Sequence, residues 1–370
     1  MIDVNKFALT IFSKSLKIPF STHLETVQER TGILVEVVDK QGLKGYGEAV
    51  AFSSPWYTEE TVDTCFHMLK DFFIPFLSTQ KITHPCEITP LLDKHFKRNQ
   101  MAKAAIETAY WDIYAKSKQV PLSKLLGGSQ TEIPAGVVVG TSSVKEAIRQ
   151  IEDYLRDGYQ RVKVKINPTN DVKFISAIRS HFPNLPIMAD ANSAYTLKQL
   201  DHLKALDEFG LLMIEQPLAH DDIIDHAQLQ KELKTPICLD ESIVTFDDAR
   251  KAIQLGSCRV INIKIGRVGG HFTAKKIHDL AMEQGIPVWC GGMLEFGVSR
   301  AHNLALASLP GFTIPGDISA SSRYWEEDIT QPEVFVKNGL ISVPDGPGIG
   351  FALNEKSLKK SIVYHEVIKK

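Results

Sequence analysis

Five charged residues recur along this chain at nearly constant intervals. They are Lys165, Asp190, Glu215, Asp240 and Lys264, spaced by 25, 25, 25 and 24 residues. Their order is base, acid, acid, acid, base. Three carboxylates gathered at one place repel one another unless positive charge joins them. Oxygen-only donors suit a hard divalent cation, Mg²⁺ or Mn²⁺, better than zinc, which takes His or Cys. Three such ligands leave part of an octahedral shell for substrate oxygens or water. A lysine on either side could move a proton if its pKa falls toward neutrality. The chemistry this describes is proton abstraction beside a substrate carboxylate, with the cation stabilising the negative charge that develops.

Residues near the five add detail. The stretch RVKVKI (161–166) carries Lys163 as well as Lys165. In a strand both point to the same face. Lys163 and the cation would both disfavour the ammonium form of Lys165, making it a base. Lys163 is also a candidate for holding a substrate carboxylate. The plainer alternative is a structural network of both lysines with Asp190 and Glu215. Asn192 lies two residues after Asp190, and Asn262 two before Lys264, so each shares its partner's face if the strand runs that far. Glu241 competes with its neighbour Asp240 as a ligand. Arg267, three residues past Lys264, is a candidate for lowering that lysine's pKa. Its alternatives are pairing with a surface carboxylate or fixing the turn at 269–270. Gly291, Gly292 and Met293 are candidate substrate contacts, the glycines allowing close approach. Cys238 is expected to pack.

The elements that must position these residues are also legible. Short apolar runs recur at 135–140, 161–166, 186–191, 212–217, 236–241, 260–265, 287–292 and 312–317. Longer helix-like segments separate them. One of these places Leu197, Leu200, Leu203, Leu206 and Phe209 at helical spacing. Strands alternating with helices imply a parallel sheet. Eight strands and seven helices fit a closed barrel without a clear final helix. One polar residue per unit, at constant phase, puts all five on the C-terminal rim, where barrel active sites form. An open doubly wound sheet ranks below this, because no Gly-rich dinucleotide fingerprint follows an early strand.

Composition narrows the class. The chain has 370 residues, 44% hydrophobic and 23% charged, with a net charge of −2 and no long run of either sign. That argues against a nucleic-acid-binding surface. Five scattered cysteines without a CxxC pair fit a reducing cytosol. No stretch approaches a membrane span or a signal peptide, so a cytoplasmic protein is expected.

The combination of KVK (163–165), MADAN around Asp190, IEQP around Glu215, LDES around Asp240 and NIKIGRVGG around Lys264 resembles the enolase superfamily. Within it, the muconate-lactonising-like subgroup is the nearest, particularly o-succinylbenzoate synthases and the related N-succinylamino acid racemases. The stretches AFSSPWYTEET, WCGGMLEFGVSRA and IPGDISASSRYW support this. The resemblance implies a modified (β/α)7β TIM-type barrel with an α+β capping domain. The expected bounds are 1–125 for the cap, 126–318 for the barrel and 319–370 for a segment returning to the cap. Independently, 31–39 and 43–50 read as a hairpin, with helical stretches at 58–77 and 100–117. The resemblance makes loops 20–26 and 53–57 close over the substrate, so Trp56 and Tyr57 become candidate contacts. His23 is not among the candidates. It further implies a homo-oligomer acting on a small-molecule carboxylate. The reaction would be dehydration of 2-succinyl-6-hydroxy-2,4-cyclohexadiene-1-carboxylate, a step toward menaquinone. Lys165 would move the proton and Lys264 would stay cationic. Racemisation of N-succinylamino acids is a second or dedicated activity. Dipeptide epimerisation, for which Asp317 would be the group near the eighth strand, and a non-catalytic barrel are the remaining alternatives.

Overall fold

The computed structural model describes residues 2–21, 24–141 and 143–369; His23 lies outside them. The chain opens on an antiparallel meander of β1 (Val4–Ser21), β2 (Thr26–Asp39) and β3 (Lys44–Ala49). The expected hairpin is thus β2 and β3, and β1 is a strand that the sequence pattern had not marked. Alternation along β2 buries Ile33, Val35 and Val37 against a helical layer. Its main helix, Gln100–Ser117, is buried along nearly its whole length. Gly45 and Gly47 of β3 allow that contact. A Cβ on Gly47 would lie 2.0 Å from the Ala105 carbonyl oxygen.

After β4 (Glu132–Pro134) come seven parallel strands. They are β5 (Gly136–Val139), β6 (Arg161–Lys165), β7 (Ile187–Asp190), β8 (Ile214–Glu215), β9 (Ile237–Leu239), β10 (Val260–Ile263) and β11 (Val288–Cys290). Their order in the sheet is their order in the chain. The eighth expected strand is not a regular one. Residues 312–317 close the barrel through two isolated bridges, Val288 to Phe312 and Ala135 to Gly316. Pro315 has no N–H to give to a ladder, which limits regular pairing there. The leucine-spaced segment also departs from one continuous helix. It forms a 3₁₀ turn, a short α-helix (Leu200–Lys204) and another 3₁₀ turn. Its apolar spacing of three matches the three-residue turn of that form.

Inside the barrel, Met188, Met213, Cys238, Val260 and Trp289 pack as one layer. Cys238 is therefore a packing residue, with the Trp289 indole N–H donating to its sulfur at 3.3 Å. Adding two residues to each member of that layer gives Asp190, Glu215, Asp240, Asn262 and Gly291. Period-two alternation thus stacks the polar set directly above an apolar floor.

The C-terminal part adds β12 (Thr330–Gln331), β13 (Leu340–Ser342), β14 (Ala352–Leu353) and β15 (Ile362–Lys369). β13 pairs with β4 beside the start of the barrel, whereas β15 pairs with β1 and makes the first sheet four-stranded. Among the described residues, no helix is long and apolar enough to cross a membrane.

Candidate active site

Register brings the charged residues together. Lys165 on β6 is paired with Asp190 on β7, and Asp190 with Glu215 on β8. Asp240 and Lys264 follow the last residues of β9 and β10. The three carboxylates are almost wholly buried.

Each carboxylate is held by cations and amides. Lys165 Nζ donates to Asp190 Oδ2 and to Asn192 Oδ1, both at 2.6 Å. Lys163 Nζ lies 3.1 Å from Glu215 Oε2 and 3.2 Å from Asp190 Oδ2. Asn262 Nδ2 donates to Glu215 Oε1 at 2.7 Å. Lys264 Nζ donates to Asp240 Oδ2 at 2.8 Å, and Arg267 bonds Asp240 Oδ1. Burial opposes ionisation of Asp190, but Lys165 and Lys163 outweigh it and hold the carboxyl below its usual range. Burial likewise opposes ionisation of Asp240, and Lys264 with Arg267 prevails. Glu215 differs: burial, then the Asp190 charge, push it up to about 8.

Lys163 does not stand beside Lys165 as a free like charge. Its strongest contact is Asp317 Oδ2 at 2.6 Å, and three carboxylates surround it. Burial disfavours its charge, yet these partners hold its pKa well above the ordinary value. The network read as the plainer alternative is therefore present, with Asp317 as its third acid. Asp317 also accepts from Arg161 at 2.8 Å, so it already has two cationic partners.

At Lys264, burial opposes the charge and Arg267 acts in the same direction, but Asp240 and the Tyr57 oxygen outweigh them, so the pKa lies above its ordinary value and the expected lowering is not the net result. The balance favours the ammonium form of Lys264. Arg267 also fixes the backbone, donating to the carbonyls of Ile243 (2.8 Å) and Asn262 (2.6 Å).

Asn192 reaches the site by a different route from strand alternation. β7 ends at Asp190, and Asn192 has φ +40°. From that turn its amide bridges Lys165 and Glu241 Oε1, the latter at 3.0 Å. Glu241, pushed up to about 7 by burial and then by Asp240, leaves Oε2 buried without a partner.

Above the carboxylates lies a cleft lined by Lys165, Lys264, Asn192, Gly292, Met293 and the 53–57 loop. Trp56 and Tyr57 both line it. The Tyr57 hydroxyl accepts from Lys264 Nζ at 2.8 Å and approaches Asp240 at 3.3 Å. Phe20 represents the other expected loop. Gly291 sits beneath: a Cβ there would meet Asn262 Oδ1 at 2.2 Å and Lys264 Cε at 2.7 Å.

The family described as "Enolase C-terminal domain-like" matches residues 146–357, and "Mandelate racemase / muconate lactonizing enzyme, N-terminal domain" matches residues 6–127. The chain belongs to the enolase superfamily. It is 56% identical to the o-succinylbenzoate synthase of Bacillus subtilis (strain 168) over 99% of each chain. It is 47% identical to the N-succinylamino acid racemase of Thermus thermophilus over 93% of each chain. A crystal structure of an enolase superfamily member from Listeria innocua superposes with a TM-score of 0.96 at 42% identity, covering 100% of both chains.

Enolase superfamily members of this type use a divalent metal, and the donor set here fits one. Adjacent strand ends offer oxygen-only ligands. Glu215, whose ionisation is disfavoured by burial and by Asp190, is the group whose charge a divalent cation would favour most. As the side chains stand, the lysines and Arg267 take carboxylate oxygens, and among the described residues no three acidic, His or Cys side chains are spaced for one metal shell.

Sequence reasoning missed Arg300 and Glu295, which also line the cleft. Both lie in WCGGMLEFGVSRA, a stretch noted for its resemblance, but neither follows the 25-residue phase. Arg300 is anchored on the carbonyls of Glu295 (2.9 Å) and Ser319 (2.6 Å).

Proposed function

We propose that this chain is an o-succinylbenzoate synthase that dehydrates 2-succinyl-6-hydroxy-2,4-cyclohexadiene-1-carboxylate. The observation that carries the reading is the pair of lysines, Lys165 and Lys264, entering one cleft from strands on different sides of the carboxylate cluster. The likeness to synthases over the whole chain supports the same substrate. In this reading Asp190, Glu215 and Asp240 hold Mg²⁺ or Mn²⁺, which supplies positive charge to the substrate carboxylate.

Lys165, as the free amine, takes the proton from the carbon bearing the carboxylate. The electron pair passes into the carboxylate as an enediolate. It then returns to form the ring double bond as the C6–OH bond breaks. The Lys165 ammonium gives its proton to the departing hydroxide. Water and the aromatic product result, and Lys165 is again neutral. Lys264 remains an ammonium and stabilises the charged ring face. Asn192 orients Lys165 through its 2.6 Å contact. Trp56 and Tyr57 exclude water above the ring.

A second reading is racemisation of N-succinylamino acids. The opposed lysines favour it, because a second acid–base group on the other face is what racemisation requires. Dipeptide epimerisation is disfavoured by the two cations on Asp317. All five cysteines are free and four are buried, which accords with a cytoplasmic enzyme. We extend the reading to a homo-oligomer by likeness to the family.

The test is Lys165→Ala, assayed for dehydration with Mg²⁺. Loss of a positioned acid–base group should lower kcat by ~10²–10⁴-fold. Unchanged kcat would remove Lys165 from the reaction.

A further inference from the structure

Gln216 follows Glu215 directly, is fully buried, and has φ +40°. A non-glycine residue in that region is uncommon and is sustained only by its surroundings. Here the surroundings are the three strand ends that carry the three carboxylates. Its carbonyl accepts from Ser193 N at 2.8 Å, in the turn after Asp190, and its own N–H donates to the Cys238 carbonyl at 2.8 Å. Its side-chain Oε1 accepts from Asp240 N at 3.0 Å and from Ser242 N at 3.3 Å. Its Nε2 donates to Ser242 Oγ at 2.6 Å and to the Ala219 carbonyl at 2.9 Å.

We infer that Gln216 is a positioning residue that sets the separation of Asp190, Glu215 and Asp240 without touching substrate. This rests on the reading of those three carboxylates as the cation's ligands. β8 and β9 are two and three residues long, so few ladder bonds hold their ends. The β8–β9 backbone ladder makes its last bond from the Gln216 N–H, and the carboxamide carries the tie beyond it with both a donor and an acceptor. No charged side chain could do this without adding to the cluster's electrostatics. A carboxylate would lose the donor side and add a fourth negative charge. A hydroxyl would be too short to span from β8 to the turn after β9.

The experiment is titration of Mn²⁺ into metal-free wild-type protein, Gln216→Met and Ser242→Ala, read by calorimetry and by the electron paramagnetic resonance of free Mn²⁺. Circular dichroism checks that each is folded. Methionine keeps the volume and removes every side-chain bond. The inference expects Gln216→Met to weaken Mn²⁺ binding by ~10–100-fold, the range for loss of a group that orients metal ligands. Ser242→Ala removes one anchor of the carboxamide and should weaken binding in the same direction by less. Should Gln216→Met not fold, Ser242→Ala decides, and wild-type affinity in that variant overturns the inference. Wild-type affinity in folded Gln216→Met overturns it outright. Failure of the wild-type protein itself to bind Mn²⁺ would instead overturn the ligand reading on which it rests.

Discussion

Lys163 on β6 and Asp317 at the end of the closing segment meet at 2.6 Å, joining the two sides of the barrel seam. Arg161 reinforces the join from the same strand face, reaching both Asp317 and the Pro315 carbonyl. Among the described residues, two isolated bridges and the Asp317 N–H to Cys290 carbonyl bond at 2.9 Å join the backbones of the closing segment and its neighbours, without a regular ladder. Asp317→Asn would leave Lys163 and Arg161 buried with one acid fewer. Loss of one partner of a buried pair costs about 3–5 kcal/mol. Urea unfolding should show a loss of that order, larger than for Asp279→Asn on the surface.

Lys264 separates the two candidate activities. Lys264→Arg keeps a cation but cannot give up its proton. Dehydration should fall less in Lys264→Arg than in Lys264→Ala, whereas racemisation of an N-succinylamino acid should vanish in both. Parallel assays of ring aromatisation and α-proton exchange would check this. Equal losses of dehydration in the two variants would contradict a purely cationic role.

Arg267 and Lys264 share Asp240. In Arg267→Gln, Asp240 would serve Lys264 alone, and the ammonium would become harder to deprotonate. Racemisation should fall more than dehydration. Equal effects on both reactions would show that Arg267 acts through structure and not through Lys264.

Glu215 gives cation binding a pH dependence. Burial, and then the Asp190 charge, push its carboxyl up to about 8 from an ordinary value of 4.5. The folded state therefore holds this proton more tightly. Its contribution to metal-free stability is full below pH 4.5 and is lost as pH rises to 8. A bound cation requires the carboxylate, so binding releases the proton. Mg²⁺ affinity should rise up to about tenfold per pH unit from pH 6 to 8 and then level off. Isothermal titration in buffers of different ionisation heat would count the released proton.

Gly291→Ala tests the close approach beneath the cleft. The new Cβ would displace Asn262 and the Lys264 stem. Small misplacement of a reacting group can cost about 10²-fold in rate. kcat should fall by that order while the circular dichroism spectrum is unchanged.

The barrel and its charged rim were legible because each βα unit repeats one phase, and that phase survives in the spacing of Lys165, Asp190, Glu215, Asp240 and Lys264. What was hidden depended on contacts remote in sequence. Asp317 lies 154 residues from Lys163 and outside the 25-residue rhythm. Two cations share it, and periodicity contains no hint of that. Asn192 was found by an argument from strand alternation, yet it arrives through a left-handed turn that its pattern does not reveal. β1 was overlooked because the KSLK stretch of its outer half interrupts the apolar alternation. The eighth strand was overstated because an apolar run containing Pro315 and Gly316 satisfies the pattern without making a ladder.

The most direct test is turnover of 2-succinyl-6-hydroxy-2,4-cyclohexadiene-1-carboxylate by the purified chain with Mg²⁺, followed by ultraviolet absorbance, with and without a chelator. Rapid aromatisation, abolished by chelator and restored by added Mg²⁺, is the result the account predicts. No turnover by folded protein supplied with the cation, or turnover indifferent to chelator, would contradict it.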